Sequence, residues 1–413
     1  MNPPLSSPAA ASPMASDMPR WLRFELLVLL GLMQAIAPVS IDMYLPALPQ
    51  LEQVFHATAA QVESTMVTFL AGFAVGQLLY GPLTDRFGRK PPLYFSFTIF
   101  TFSSAACAFA PTIGVMSALR LLQAIGACGG AVIARAMVRD LFPQSELRRV
   151  FSMLVLVLGV SPILAPLLGS YLLLWFGWRS PFLAQATVGA LLLLGIHFRL
   201  RESMPEESRR ALDWATIAGT FKHLLRDRAF VGAAAVCGFS SAGAFAYIAS
   251  APFVFMTLYK VPTERFGWLF GSVAAGMVAA SQINGRLPHS VPYWRVIRWS
   301  NLVQLASAAM LVASVMSGVG GLPVTYLGIF IYVAAQGFIF PNGSSIAMTR
   351  HANIAGSASA VLGSAQFLIA SIATSFLGGL ENPAIPMTLV MLTCSAISVG
   401  LNYATLGPHL ETH

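Results

Sequence analysis

The chain is poor in charge. Asp, Glu, Lys and Arg together make up 10% of its 413 residues, where a soluble domain carries about 25%. That deficit argues against an ordinary soluble enzyme or binding module. Cysteine is scarce too. Cys107, Cys128, Cys237 and Cys394 all lie inside apolar runs, with no CxxC and no disulfide spacing. They read as small buried hydrophobes, so neither a disulfide framework nor a metal site is expected. No GxxxxGK[ST] loop occurs, so no nucleotide is implied, and no cofactor is expected. The alternating ten-residue strands of a membrane barrel are missing as well.

What abounds is apolar sequence, 56% of the chain. Runs of 18 or more apolar residues recur throughout, each long enough for a helix to cross a bilayer. The expected fold is an all-α membrane protein with twelve transmembrane helices. The first six spans fall near 22–46, 60–82, 92–110, 113–138, 148–174 and 181–199. The second six fall near 229–257, 266–284, 294–316, 323–347, 355–380 and 385–405. Two six-helix halves, 22–199 and 229–405, are therefore joined by a charged linker, 200–228. Residues 1–21 are rich in Pro, Ser and Ala and read as a disordered tail. Residues 406–413 form a second tail. The first apolar run is too long for a signal peptide's core and is expected to remain in the mature protein.

Charge position fixes an expected orientation. Nineteen of the 24 Lys and Arg lie on the side that holds both chain ends, against Arg179, Lys260 and Arg265 on the other; Arg120 and Arg135 lie within span four. Positive residues favour the cytoplasm, so both termini are expected there. The +8 net charge is this asymmetry rather than a nucleic-acid surface. The halves also read as diverged repeats. GPLTDRFGRK (81–90) closes span two and NGRLPHSVPYWR (284–295) closes span eight, with Gly81 beside Gly285 and Asp85 beside His289. Paired repeats suit a transporter whose site lies between them.

Four stretches carry chemistry. In GPLTDRFGRK, Gly88 permits a tight turn, and Asp85 ends a helix among Arg86, Arg89 and Lys90, where it can pair with cations or a helix N-terminus. Such a loop works as a latch, or it is merely a charged loop obeying the positive-inside rule. ALRLLQAIGACGG places Arg120 in the membrane, needing a partner or snorkelling to the outer interface; Arg135 lies nearer the inner surface and reads as snorkelling. LGVSPILAPLLGS (158–170) sets Gly159, Pro162, Pro166 and Gly169 on span five, a hinge or tight seam, or a kinked packing helix.

The fourth is PVSIDMYLP (38–46). Asp42 is the one acid of sixteen that reads as lying well inside a span. A carboxylate there costs roughly 2.5–3.5 kcal/mol on insertion scales. Gln34, Pro38 and Asp42 share one helical stripe, which should face a cavity. Out of water a carboxylate takes up a proton more readily, whereas a nearby Arg120 would oppose that. The competing reading is a structural acid paired permanently with an Arg, or capping a helix break at Pro46. The second half has no deep acid. It offers Tyr247, Gln282, Gln336, Asn342 and Gln366 near Phe and Met, a lining suited to neutral ligands if these residues are more than packing.

GPLTDRFGRK resembles the cytoplasmic loop signature of the major facilitator superfamily through Gly81, Asp85, Arg86, Gly88, Arg89 and Lys90. Arg120 resembles its span-four arginine, associated with proton coupling. Ala165-Pro166-Leu-Leu-Gly169 resembles the antiporter motif of drug exporters, with Ala replacing its first Gly. SIDMYLPALP, ARAMVRDLF, APFVF and FIFPNGSSIAM are similar to the bicyclomycin-resistance branch of the drug:proton antiporters, over nearly the whole chain. The resemblance implies the major facilitator fold and proton-driven export of small drugs across a bacterial inner membrane by a monomer. The implied partners are the drug, protons and the bilayer. Asp42 and Arg120 are then the proton-coupling pair, and Gln34, Asp42, Tyr247, Gln336, Asn342 and Gln366 the drug contacts. The rivals are a proton-coupled nutrient importer, a ligand sensor that moves nothing, and a membrane enzyme, the last lacking a His or Ser constellation near Asp42.

Overall fold

The computed structural model describes residues 19–407 apart from 210–212, 289, 379 and 381. The described residues form helices and no strand. In the first half run α1 (Arg20–Asp42), α2 (Leu48–Val54), α3 (Ala59–Phe87), α4 (Lys90–Ala108), α5 (Ile113–Leu141), α6 (Gln144–Phe176) and α7 (Ser180–Arg199). A linker helix, α8 (Trp214–Arg226), follows. The second half holds α9 (Arg228–Pro252), α10 (Thr263–Asn284), α11 (Tyr293–Ser317), α12 (Gly321–Thr349), α13 (Ala355–Thr374) and α14 (Ala384–Thr405). Among the described residues, eleven segments are long and apolar enough to cross a membrane. The twelfth crossing is α4, 19 residues diluted by Ser and Thr. Its serine hydroxyls are satisfied within the bundle: Ser103 and Ser104 donate back to Ile99 and Phe100 carbonyls, and Ser96 donates across to the Gly126 carbonyl at 2.6 Å.

Local chemistry sets the helix ends. Thr58 and Gln61 make a reciprocal capping box at the start of α3, with Thr58 N–H donating to Gln61 Oε1 at 2.9 Å. Asp227 caps α9 by accepting from the Ala229 N–H at 2.9 Å. Large apolar side chains such as Phe102, Trp175, Phe198 and Phe376 face outward and are largely exposed. So wide an apolar exterior belongs to a protein solvated by lipid.

The first apolar segment long enough to cross a membrane, Trp21–Val54, holds Asp42 within its length, but one helix does not run through it: Asp42 is the last residue of α1. Pro46 is the reason. Four residues on, its ring would collide with the Asp42 carbonyl if the helix continued. The chain instead makes a buried 3₁₀ turn, Leu45–Ala47, and then α2. Within the linker a helix, α8, forms. The tails 1–18 and 408–413, and His289, lie outside the described residues.

The halves meet along two seams, α3 against α13 and α6 against α10. One end of the bundle carries the start of α1, the 88–89 turn, α8 and the end of α14; we call it the basic end. Asp42 lies at the opposite end.

Candidate functional site

Asp42 closes α1 where four elements converge. Gly169 of α6 packs on the Met43 backbone so tightly that a Cβ there would sit 1.9 Å from the Met43 carbonyl oxygen. The turn after Asp42 packs on α9, and the Tyr247 hydroxyl of α9 lies within Coulombic reach of Asp42. Asp42 is 4% exposed. It has no ion-pair and no side-chain hydrogen-bond partner among the described residues.

Arg120 is wholly buried and does not pair with Asp42. Its Nη1 donates to the Ser40 carbonyl at 3.0 Å and to Gln123 Oε1 at 2.6 Å. Its guanidinium lies 4.0 Å from the Tyr44 ring centroid and 4.3 Å from that of Phe69, an aromatic clamp on the cation. Gln123 passes the network on to Ser104 and Gln185. The Nε and Nη2 atoms of Arg120 are buried without a partner. Arg135 donates back to the Ala131 carbonyl at 3.1 Å.

The expected drug contacts do not form one cluster. Gln34 is buried with Oε1 unpartnered, one stripe below Asp42. Tyr247 stacks on Phe270 at 5.5 Å with its hydroxyl unpartnered. Gln336 and Gln366 meet at Ser241, donating to its Oγ at 2.6 and 2.9 Å. Ser240 and Gln304 extend that network. Phe367, beside Gln366, touches Phe73 of the first half with centroids 4.5 Å apart. Asn342 lies elsewhere. It donates to Asn284 Oδ1 at 2.7 Å and ties α12 to the basic end of α10, so its amide is occupied by packing.

The 81–90 loop is bound within its own half. Gly88 adopts φ +83°, and a Cβ there would meet the Glu202 carboxylate at 2.7 Å. Glu202 accepts the Arg89 and Lys90 backbone N–H groups at 2.9 and 3.0 Å. Arg89 donates to Asp140 at 2.8 Å and to Asp85 at 3.2 Å. Lys90 reaches the Leu200 carbonyl at 2.7 Å. Arg86 is exposed, and Gly81 has open space beside it. These bonds brace the loop against α5 and the stretch after α7, and none of them crosses to the second half. The sequence reading missed Glu202, whose spacing from the loop is purely tertiary. On α6, a Cβ added at Gly159 would lie 3.4 Å from Val278 of α10, while Pro162 and Pro166 stay inside an unbroken helix.

One acid was missed altogether. Glu63 reads as a span end in the sequence, yet it is 4% exposed. Its Oε1 accepts from the Ser250 hydroxyl of α9 at 2.9 Å. Across the seam, Ser371 of α13 donates to the Val67 carbonyl at 2.9 Å. These are the side-chain hydrogen bonds that join the two halves among the described residues, and both lie toward the opposite end.

Two helical halves, unpaired polar groups between them and a lipid-facing exterior define a multi-pass membrane transporter, not an enzyme. The chain belongs to the Major Facilitator Superfamily, whose family model matches residues 30–374. It is 35% identical over 91% of its length to the uncharacterized MFS-type transporter YdgK of Bacillus subtilis, covering 94% of that protein. It is 28% identical over 94% of its length to a bicyclomycin resistance protein homolog of Haemophilus influenzae, covering 98% of it. The crystal structure of a D-xylose–proton symporter superposes with a TM-score of 0.72 over 94% of this chain and 98% of that one, at 15% identity, a likeness of fold.

Proposed function

We propose that this transporter exports small, neutral or weakly polar drugs across a bacterial inner membrane in exchange for protons, with Asp42 as the proton carrier. The observation that carries the reading is the state of Asp42: buried between the halves with no cation and no hydrogen-bond donor to hold its charge. A carboxylate in that position is cheap only while it carries a proton. It can therefore trade the proton for a ligand when the cleft opens. The bicyclomycin-resistance name of one relative supports the drug class.

In this scheme the basic end faces the cytoplasm, with both chain ends there. Drug enters between the halves, contacting Gln34, Tyr247 and Gln366, and Asp42 gives up its proton. The loaded protein turns outward, releases drug, and Asp42 is reprotonated. Arg120 braces the α1 end through Ser40 and acts on Asp42 through position, not through an ion pair. One proton crossing ~100 mV supplies ~2.3 kcal/mol, enough for roughly a 40-fold gradient of a neutral drug at 1.4 kcal/mol per tenfold. The gradient is the energy source, no cofactor takes part, and one chain is the working unit.

The test is accumulation of a panel of antibiotics in pump-deficient bacteria carrying wild type or Asp42→Asn, with and without a protonophore. Lowered accumulation that the protonophore abolishes and Asp42→Asn lacks supports the reading. Normal export by Asp42→Asn removes Asp42 from the mechanism. No export of any drug by wild type favours a nutrient importer.

A further inference from the structure

Glu63 has no role in the scheme above, yet it is as buried as Asp42 and touches the other half directly. α3 begins at the opposite end with a capping box, and Glu63 lies one turn in, where α9 crosses. The Ser250 hydroxyl, 1% exposed, donates to Glu63 Oε1 at 2.9 Å. No cation pairs with Glu63 among the described residues. α13 carries no charged residue along its length, and α4 carries only Lys90, at the basic end. α9 presents Ser250 and, three residues earlier, Tyr247. α5 has Arg120 nearest; its Nη1 donates to Ser40 and Gln123 and its faces meet the Tyr44 and Phe69 rings, while Nε and Nη2 have no partner, and none of its nitrogens bonds to Glu63. α2 contributes Glu52, whose negative charge is within reach of Glu63.

We propose that Glu63 and Ser250 form a proton-operated lock on the opposite end of the cleft, closed while Glu63 is protonated and released when it ionises. The proposal rests on the transporter reading for its purpose and on geometry for its content. Nearly buried, at 4% exposed, with one hydroxyl donor and a like charge nearby, Glu63 is accommodated at least cost as the neutral acid. Its proton sits on Oε2 while Oε1 accepts from Ser250. When the halves part at this end, water reaches the carboxyl, the proton leaves to that side and the anion is hydrated. Closing again requires a proton from the same side. Glu63 therefore carries no net proton across the membrane. It makes closure conditional on a proton being available where Asp42 also collects its own.

The test needs no drug. The four native cysteines are all buried, so spin labels on Val54→Cys of α2 and Leu258→Cys after α9, both surface positions, report the opening of this end in the full chain in nanodiscs. Electron–electron double resonance is recorded from pH 5.5 to 8.5. In the wild-type background the ratio of long to short distance should rise with pH, by at most about tenfold per pH unit for one coupled proton. Glu63→Gln should stay short throughout. Ser250→Ala, which removes the donor that holds the end shut, should begin opening at lower pH. A wild-type response in Glu63→Gln, no pH response in wild type, or an unmoved curve in Ser250→Ala overturns the lock. Drug export can fail while this response persists, and export can persist while it is absent, so the two readings fail separately.

Discussion

Arg120 donates to the carbonyl oxygen of Ser40, 3.0 Å away, and not to the carboxylate of Asp42 two residues further on. The cation is held by a helix carbonyl, an amide and two aromatic faces, and the acid is left free. A permanent ion pair would hold Asp42 ionised, which is at odds with the proton-carrying role proposed for it. Separation by one helical step keeps the cation as a brace.

The brace can be measured as stability. Arg120→Ala strips the Ser40 carbonyl and Gln123 Oε1 of a buried donor, at about 1–3 kcal/mol each. The detergent-solubilised protein should melt at a clearly lower temperature. Arg120→Lys keeps the charge but loses the flat guanidinium face against the Tyr44 and Phe69 rings, and should fall between. Wild-type melting of Arg120→Ala would show that these bonds contribute nothing.

Gly169 should tolerate no side chain. A methyl there meets the Met43 carbonyl, and overpacking costs about 1–3 kcal/mol or forces α6 away from α1. Gly169→Ala should lose both thermal stability and transport. Gly81→Ala, with nothing within 4 Å of the new methyl, should melt as wild type and serves as the matched control.

Gln34 and Gln336 should separate binding from folding. Gln34 Oε1 has no partner to lose, and replacing an unpaired buried polar group with an apolar one is near neutral. Gln34→Leu should therefore melt at or above the wild-type temperature while raising the drug KM about tenfold, ~1.4 kcal/mol. Gln336→Leu breaks bonds to Ser240, Ser241 and Gln304 and should lower the melting temperature itself.

Asp227 gives a pH signature outside the membrane. Burial pushes its carboxyl up, but the Ala229 N–H, the His351 ring, the Phe230 N–H and the Arg350 charge together hold it below the ordinary aspartate value of 3.8. The folded state thus binds this proton less readily than the unfolded chain. Its stabilisation is complete above the unfolded value and is lost as pH falls through the folded one. Melting temperature followed from pH 6 to 3 should drop more steeply in wild type than in Asp227→Asn. Parallel curves would assign the acid sensitivity to another group.

Much of this protein is local information. Runs of apolar residues specify the crossing helices because lipid offers the backbone no other partner. The skew of Lys and Arg separates the two ends, and Gly88, Arg89 and Lys90 mark a turn whatever surrounds them. Asp42 stood out because a carboxylate beside such a run is conspicuous without any structure. Its place at the helix end was also written locally, in Pro46. Tertiary structure alone decided the rest. Glu63 looked like a span end until α9 brought Ser250 to it, and Glu202 became the loop's anchor only when the stretch after α7 folded back. Asn342 resembled a ligand contact until α10 supplied Asn284. The physical reason is the solvent. In water, an apolar stripe tells which face of a helix is buried. In lipid both faces are apolar, and α12 is evenly so around its circumference. The rotation of each helix, and so the partner of each polar group, is settled by packing between helices that no single segment encodes.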